Sequence, residues 1–445
     1  MRGGTVRTRP PADPRSDPPR GTDPMAPSLA VHARRGAVAL ATAAVLSTAM
    51  APAAFADASP SPAAPGLYGT EDPKFDGVFR QSLTFVAQSA VGVSPAKEAV
   101  DWLTGQQCAD GGFPGFRADP AKACDTQKEF TDQTAAAVQG LAAAGGRSEQ
   151  VTKGLDWLKA HQNDDGGWGY QPGSPSDANS TSIALGAFAA TGQDPAKVAA
   201  KGGKDPVATL LTFQLGCDAK EGERGGFSFL KDDKSGLRAD NLASAAAGLA
   251  TRGKGFLVEP PKKGADQPLK PLDCAADDKA KPKDAAAAAE AVDGYLSEAL
   301  AKNGGYLVPS MPGAPAKPDQ GNTADAVVAL AAGGHREAAE KPLTWLRSKE
   351  SGTADWAKNH PGRVAKLILA AHATGADPRD FAGTDLVAQL NAMGPKPESA
   401  SSAEQKDEEK KDDDKGVSVW WIVGVFFVAS IGAGFLISGR KKKQL

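Results

Sequence analysis

Groups that bind metals or act as nucleophiles are scarce in this chain: 445 residues carry four cysteines and five histidines. Beyond His32, the histidines His161, His335, His360 and His372 stand apart in sequence, without the spacing that seats two imidazoles on one zinc ion. Charge of either sign barely dominates, with a net of −2 from 51 basic and 53 acidic residues. No basic patch occurs before the C-terminal tail. Phosphate backbones need such a patch, so nucleic acid is not an expected partner.

The two ends of the chain carry an address. Residues 1–24 are rich in Arg, Pro, Asp and Gly, lack an apolar period, and read as a non-coding or disordered leader. From Met25 a basic region (His32, Arg34, Arg35) leads into the apolar run Gly36 to Met50 and then Ala54-Phe55-Ala56. That order is expected of a secretory signal peptide over 25–56, followed by a linker over 57–74. At the other end, Val417 to Ser438 holds no charge and includes Trp420 and Trp421 at its outer edge. An α-helix needs roughly 20 apolar residues to cross a bilayer, and indoles favour the interface. Arg440, Lys441, Lys442 and Lys443 follow and mark the cytoplasmic side. The expectation is a single-pass anchor at the cell membrane over 417–438 with a tail over 439–445. A charged stalk over 395–416 would hold the domain outside the cell. The end resembles a Gram-positive cell-wall sorting signal, but its Leu-Pro-x-Thr-Gly motif is missing, which favours a retained anchor.

All four cysteines, Cys108, Cys124, Cys217 and Cys274, fall in the exported part. An even count in an oxidising compartment points to disulfides. Three pairings are open; proximity favours Cys108–Cys124 and Cys217–Cys274.

An internal repeat organises residues 75–394. Trp102-Leu103 is followed by Gln107, Asp110, Gly111, Gly112 and Phe113; Trp157-Leu158 is followed by Gln162, Asp165, Gly166, Gly167 and Trp168. Tyr295-Leu296 reaches Tyr306 through Asn303, Gly304 and Gly305, and Trp345-Leu346 reaches Trp356 across a degenerate turn. A fifth copy runs from Leu211 to Phe227. In each, a helix ends on an aromatic-Leu pair, glycines supply the turn, and an Ala-rich helix opens with small polar residues suited to N-capping. Ala-rich segments are expected at 75–91, 131–145, 178–191, 238–252, 321–333 and 362–375. Bulkier partners are expected at 95–107, 148–162, 204–215, 286–302, 336–349 and 379–392. Six pairs close into an all-α ring, small side chains inside, with 253–284 as an insertion tied down by Cys274.

The run Lys153-Gly154-Leu155-Asp156-Trp157 to Gln162-Asn163-Asp164-Asp165-Gly166-Gly167-Trp168 resembles the repeat of squalene–hopene cyclases and protein prenyltransferase β subunits. The resemblance implies an α/α toroid, a ring that serves several chemistries. It implies nothing catalytic residue by residue. The Asp-x-Asp-Asp of class II cyclases, the Asp/Cys/His zinc set of prenyltransferases and the Cys-Gly-Glu-Gln of thioester domains are all missing. What remains is binding, as in the secreted cobalamin carriers, whose closing domain this chain does not contain. Cobalamin is therefore an expected ligand class, and a transporter subunit or lipoprotein an expected partner.

The polar openers should ring one mouth of the barrel, where helix N-termini present free N–H groups. The candidates are Asp132, Gln133, Asn179, Thr181, Asp240, Asn241, Asn322, Thr323 and Arg363. An anionic or amide-bearing ligand is expected there. The competing reading is a divergent exported enzyme, cyclase-like or glycan-active, working through carboxylates such as Asp132 or Asp240.

Overall fold

The computed structural model describes residues 65–398 apart from 199–202, 232–235, 263–265 and 311–312. The signal-peptide and membrane-span expectations, and most of the stalk, lie outside the described residues. No helix among the described residues is long and apolar enough to cross a membrane.

Regular structure among the described residues is helical, joined only by isolated bridges. The helices come in pairs. They are α1 (Gly77–Ala90) and α2 (Lys97–Gly105), α3 (Thr131–Ala144) and α4 (Ser148–Ala160), α5 (Ala178–Ala190) and α6 (Pro206–Leu211). There follow α7 (Asn241–Ala250) and α8 (Ala285–Lys302), then α9 (Gln320–Ala332) and α10 (Arg336–Arg347). After the short α11 (Thr353–Ala357) come α12 (Pro361–Thr374) and α13 (Leu386–Asn391). The first helix of each pair packs on the first helix of the next: α1 on α3, then α5, α7, α9, α12 and back to α1. The expected α/α toroid is thus closed, with the Ala-rich helices inside. Close approach is what those small residues allow. A Cβ built on Gly140 of α3 would stand 2.7 Å from Ser82 Cα of α1, so only glycine fits that seam.

The same hydrogen bonds recur around the ring. Gln107, Gln162 and Gln214 each donate one side-chain amide to their own glycine turn, at Gly111, Gly166 and Gly225 O. Each amide also reaches the next outer segment, at Gln150, Val198 and Ala288 O. The N–H of the residue after each turn, in Phe113, Trp168, Phe227 and Leu307, donates to Thr134, Thr181, Ser244 and Thr323 at 2.9–3.0 Å. Leu307, not Tyr306, therefore occupies the core position of the fourth copy. The reason is that α8 runs on to Lys302 and leaves a shorter turn. Tyr306 instead packs on Trp345, with ring centroids 4.8 Å apart. Caps also differ in place: Asp177, Asp240 and Asp319 accept from the N–H of Ser180, Ala243 and Asn322, so among the expected openers only Asp240 is itself the cap.

The disulfides are Cys108–Cys124 and Cys217–Cys274, the pairing that proximity favours. The second holds the insertion, which Gln267 also pins by donating its N–H to Gly334 O and accepting at its carbonyl from the His335 ring, 2.7 Å away. One end of the ring is a mouth formed by inner-helix N-termini. The segment Lys254–Phe256 crosses the other end, and there Glu398 bridges to Ser94, just past the end of α1.

Candidate functional site at the mouth of the ring

A relay of bonds sets the mouth. Thr131 N–H donates to Tyr170 O ahead of α5, Ala178 N–H to Phe229 O ahead of α7, and Asn241 N–H to Ser310 Oγ ahead of α9. Each inner helix start is thereby fastened to the loop leading into the next. The four exposed large hydrophobic residues among those described, Phe75, Tyr170, Leu230 and Leu242, lie in or beside these N-terminal segments.

Inside the mouth, two contiguous spaces share Phe79, Leu83 and Lys366. The outer one is a vestibule of about 580 Å³ between the starts of α1, α9 and α12, walled by Glu71, Asp76, Asp319, Asn322, Trp356 and Arg363. The inner one is an apolar funnel of about 80 Å³ along the ring axis, lined by Ile183, Ala246, Leu249, Phe256, Val328 and Leu369. Five of the six inner helices contribute to it. At its neck, Lys366 Nζ and the Asp325 carboxylate form a close ion pair between α12 and α9.

The nine candidates share this end of the ring but not one role. Asn322 and Arg363 line the vestibule, and Asn179 lines the funnel. Arg363 lies 5.3 Å over the Trp356 ring and donates to Trp356 O. Thr181 and Thr323 are fully buried, their hydroxyls used by the turn N–H bonds already described. Asn241 is held at both ends of its side-chain amide: Nδ2 donates to Val308 O, and Oδ1 accepts from Tyr295 Oη at 2.8 Å. Asp240 caps α7, and burial holds its carboxyl above the usual range.

Asp132, Gln133 and Asn179 form a separate cluster. Asn179 Nδ2 donates to Asp132 Oδ2 at 3.1 Å, and Gln133 Nε2 donates to Tyr170 Oη at 3.3 Å. Asp132 Oδ1, Gln133 Oε1 and Asn179 Oδ1 are buried with no hydrogen-bond partner. Burial, with the nearby Asp177 adding to it, raises the Asp132 carboxyl to about 7. A carboxyl that keeps its proton near neutrality has a donor to offer where acceptors otherwise crowd.

Sequence reasoning missed Asp325 and Lys366. The sequence held only a partial signal: Asp325 is the one charged residue of the Ala-rich α9, while Lys366 shares α12 with Arg363, and neither pattern tells which side chain faces the axis. Trp356 sits half-buried in the vestibule wall because α11 replaces the glycine turn there. Trp157 and Trp168 are core, their indole N–H groups donating to Glu129 Oε2 and Leu158 O. Among the described residues, Cys108, Cys124 and Glu129 gather in metal-like fashion, but the two sulfurs are already bonded to each other.

Residues 81–175 match the family model of the squalene-hopene cyclase C-terminal domain, in line with the repeat resemblance seen in the sequence. No curated protein matches the chain significantly. Among solved structures, a protein from Actinoplanes shares 14% identity over 70% of this chain and 95% of its own, with a TM-score of 0.43. The apo type II terpene cyclase MstE from Scytonema shares 12% over 70% and 93%, with a TM-score of 0.42. A glycosidase shares 14% over 67% and 87%, with a TM-score of 0.40. Scores this low leave the ring to be read from its helix packing alone.

Proposed function

We propose that the chain is a membrane-anchored binding toroid that takes a small amphiphile through the mouth. The apolar end enters the funnel and the polar head stays in the vestibule. The observation that carries this is the apolar funnel with a charged neck, opening into a wider polar vestibule. The funnel is about half the ~150 Å³ of a cavity that accepts a benzene ring, so it suits a slender tail. A corrin macrocycle is far broader and would have to lie across the mouth. The head would meet both signs of charge. Arg80 is committed to Asp76 at 2.7 Å and His360 to Glu71 at 2.5 Å, which leaves Arg363, Asn322 and the Asp325–Lys366 pair to address it. Anchoring through 417–438 would place this site outside the cell.

The test uses residues 57–415, which contain the closed ring, after circular dichroism shows the domain to be helical. Decylamine, decanoate and decanol are titrated calorimetrically, and hydroxocobalamin is tried by desalting and absorbance. Saturable binding of a decyl compound, weakened about tenfold or more by Ala246→Phe, is expected. Equal affinity in the variant sinks the funnel reading. Retained corrinoid absorbance with no decyl binding replaces it with the cobalamin one.

A second reading rests on Asp132. A carboxyl protonated near neutrality, hydrogen-bonded to a funnel-lining asparagine, is what an exported acid catalyst acting on an apolar substrate needs. It predicts turnover abolished by Asp132→Asn with binding intact; binding without turnover in the native chain removes it.

A further inference from the structure

The insertion does more than cover the outside of the ring. Directly after α7 the chain turns at Gly253 and runs Lys254-Gly255-Phe256 into the end of the barrel opposite the mouth. Phe256 N–H donates to the buried Gln139 Oε1 at 2.8 Å. Gly255 lies against Gly186 of α5: a Cβ on Gly255 would meet Gln139 Oε1 at 2.5 Å and Gly186 O at 2.9 Å. Only a glycine lets the segment sink that far. The result is a contact between opposite ends of the molecule. Phe79, the third residue of α1 at the mouth, meets the Phe256 ring edge-on with centroids 6.0 Å apart.

Phe256 also stands at the inner end of the funnel. On its mouth side is the funnel, which it helps to line. A second space of about 450 Å³ lies at the C-terminal ends of α1, α3 and α5 against Gly253–Gly255 and Leu257, lined by Val86, Ser89, Gln139 and Ala142 but not by Phe256. The funnel therefore ends on one phenyl group, carried in from the far end of the ring by the Lys254–Phe256 segment.

We infer that Phe256 is the floor of the ligand funnel and sets the longest apolar tail the toroid accepts, a proposal that rests on the funnel reading above. The accepted class is amphiphiles with short, slender hydrocarbon tails, and longer tails are rejected because their ends meet the Phe256 ring. Each methylene that finds apolar surface tightens binding about fourfold. Affinity should climb along a homologous series and stop climbing where the tail reaches the floor.

The experiment titrates n-alkylamines from butyl to dodecyl into the native domain and into Phe256→Ala, Phe256→Trp and Gly255→Ala. Circular dichroism and thermal unfolding are measured on each. In the native domain, affinity should rise and then level off at a short chain. Phe256→Ala should move the plateau to longer chains, and Phe256→Trp to shorter ones. Gly255→Ala displaces the segment without touching the phenyl group, and should lengthen the accepted chain as Phe256→Ala does. A plateau at the same length in folded native, Phe256→Ala and Phe256→Trp proteins overturns the floor. Absence of binding at every length in native and Phe256→Ala proteins alike overturns the funnel reading itself. Binding that appears only in Phe256→Ala supports Phe256 as the barrier. If Phe256→Ala proves unfolded, the shift with Phe256→Trp decides.

Discussion

Lys366 on α12 and Asp325 on α9 hold each other across an inner-helix seam, at the level where the vestibule narrows into the funnel. Both side chains keep about a quarter of their surface, 26% and 27%, so solvent screens the pair in part. Lys366→Met leaves Asp325 unpaired at the edge of an apolar space, and Asp325→Leu leaves Lys366 likewise. Each single change should cost about 1–2 kcal/mol in urea unfolding, and the double change less than the sum. Strict additivity in that cycle would show that the two do not act as a pair.

Thr181 looks like a mouth residue by position and behaves as a structural one by contact. Its hydroxyl accepts the Trp168 N–H at 3.0 Å inside the core. Thr181→Val keeps the shape and orphans a buried donor, a loss of about 1–3 kcal/mol. Unfolding should shift while ligand affinity stays level. An affinity loss with unchanged stability would return Thr181 to the binding site.

The buried Glu129 sets a pH dependence of definite sign. Burial, with Asp110 nearby, raises its carboxyl from 4.5 to about 7. The folded chain therefore holds a proton that the unfolded chain has released. This contribution is complete below about pH 4.5 and is lost as pH rises through about 7. Glu129→Gln keeps an oxygen for the Trp157 indole N–H and carries no charge. It should stabilise by about 1–3 kcal/mol at pH 8 and by nothing at pH 4. Urea midpoints at both values decide, and a pH-independent difference contradicts the assignment.

Cys217–Cys274 spans 57 residues and Cys108–Cys124 spans 16. On chain-entropy grounds the first is worth about 4 kcal/mol and the second about 3 kcal/mol. Replacing Cys217 and Cys274 by Ser should therefore lower the melting temperature more than replacing Cys108 and Cys124. It should also open Lys262–Lys283 to trypsin before the rest of the domain is cut. Equal protection in both double variants would mean that the Gln267 and His335 contacts hold the insertion by themselves.

The ring was legible in the sequence because its repeat is carried by residues with narrow requirements. Gln162 must reach both Gly166 and Val198, and Gly166 must take a φ of +95°, so the turn cannot drift far. The site was less legible. Ala-rich helices have little contrast between faces, and nothing in the pattern of α9 or α12 tells which residues look down the axis. Asp325 and Lys366 were overlooked for that reason, while Thr181 and Thr323 drew notice through their places at helix starts. Phe256 was hidden differently: its role depends on Gly255 passing beside Gly186, a contact between segments about seventy residues apart that no local pattern encodes.

The last described residue, Glu398, pairs with Ser94, and Tyr68 Oη donates to Pro395 O just before it, on the face away from the mouth. A tether fastened at Glu398 would grip the ring by its base, like a cup on a stem. Force applied at Glu398 would fall on the α1–α2 corner and bypass the vestibule, so the ring can be loaded at that corner with its opening left undistorted.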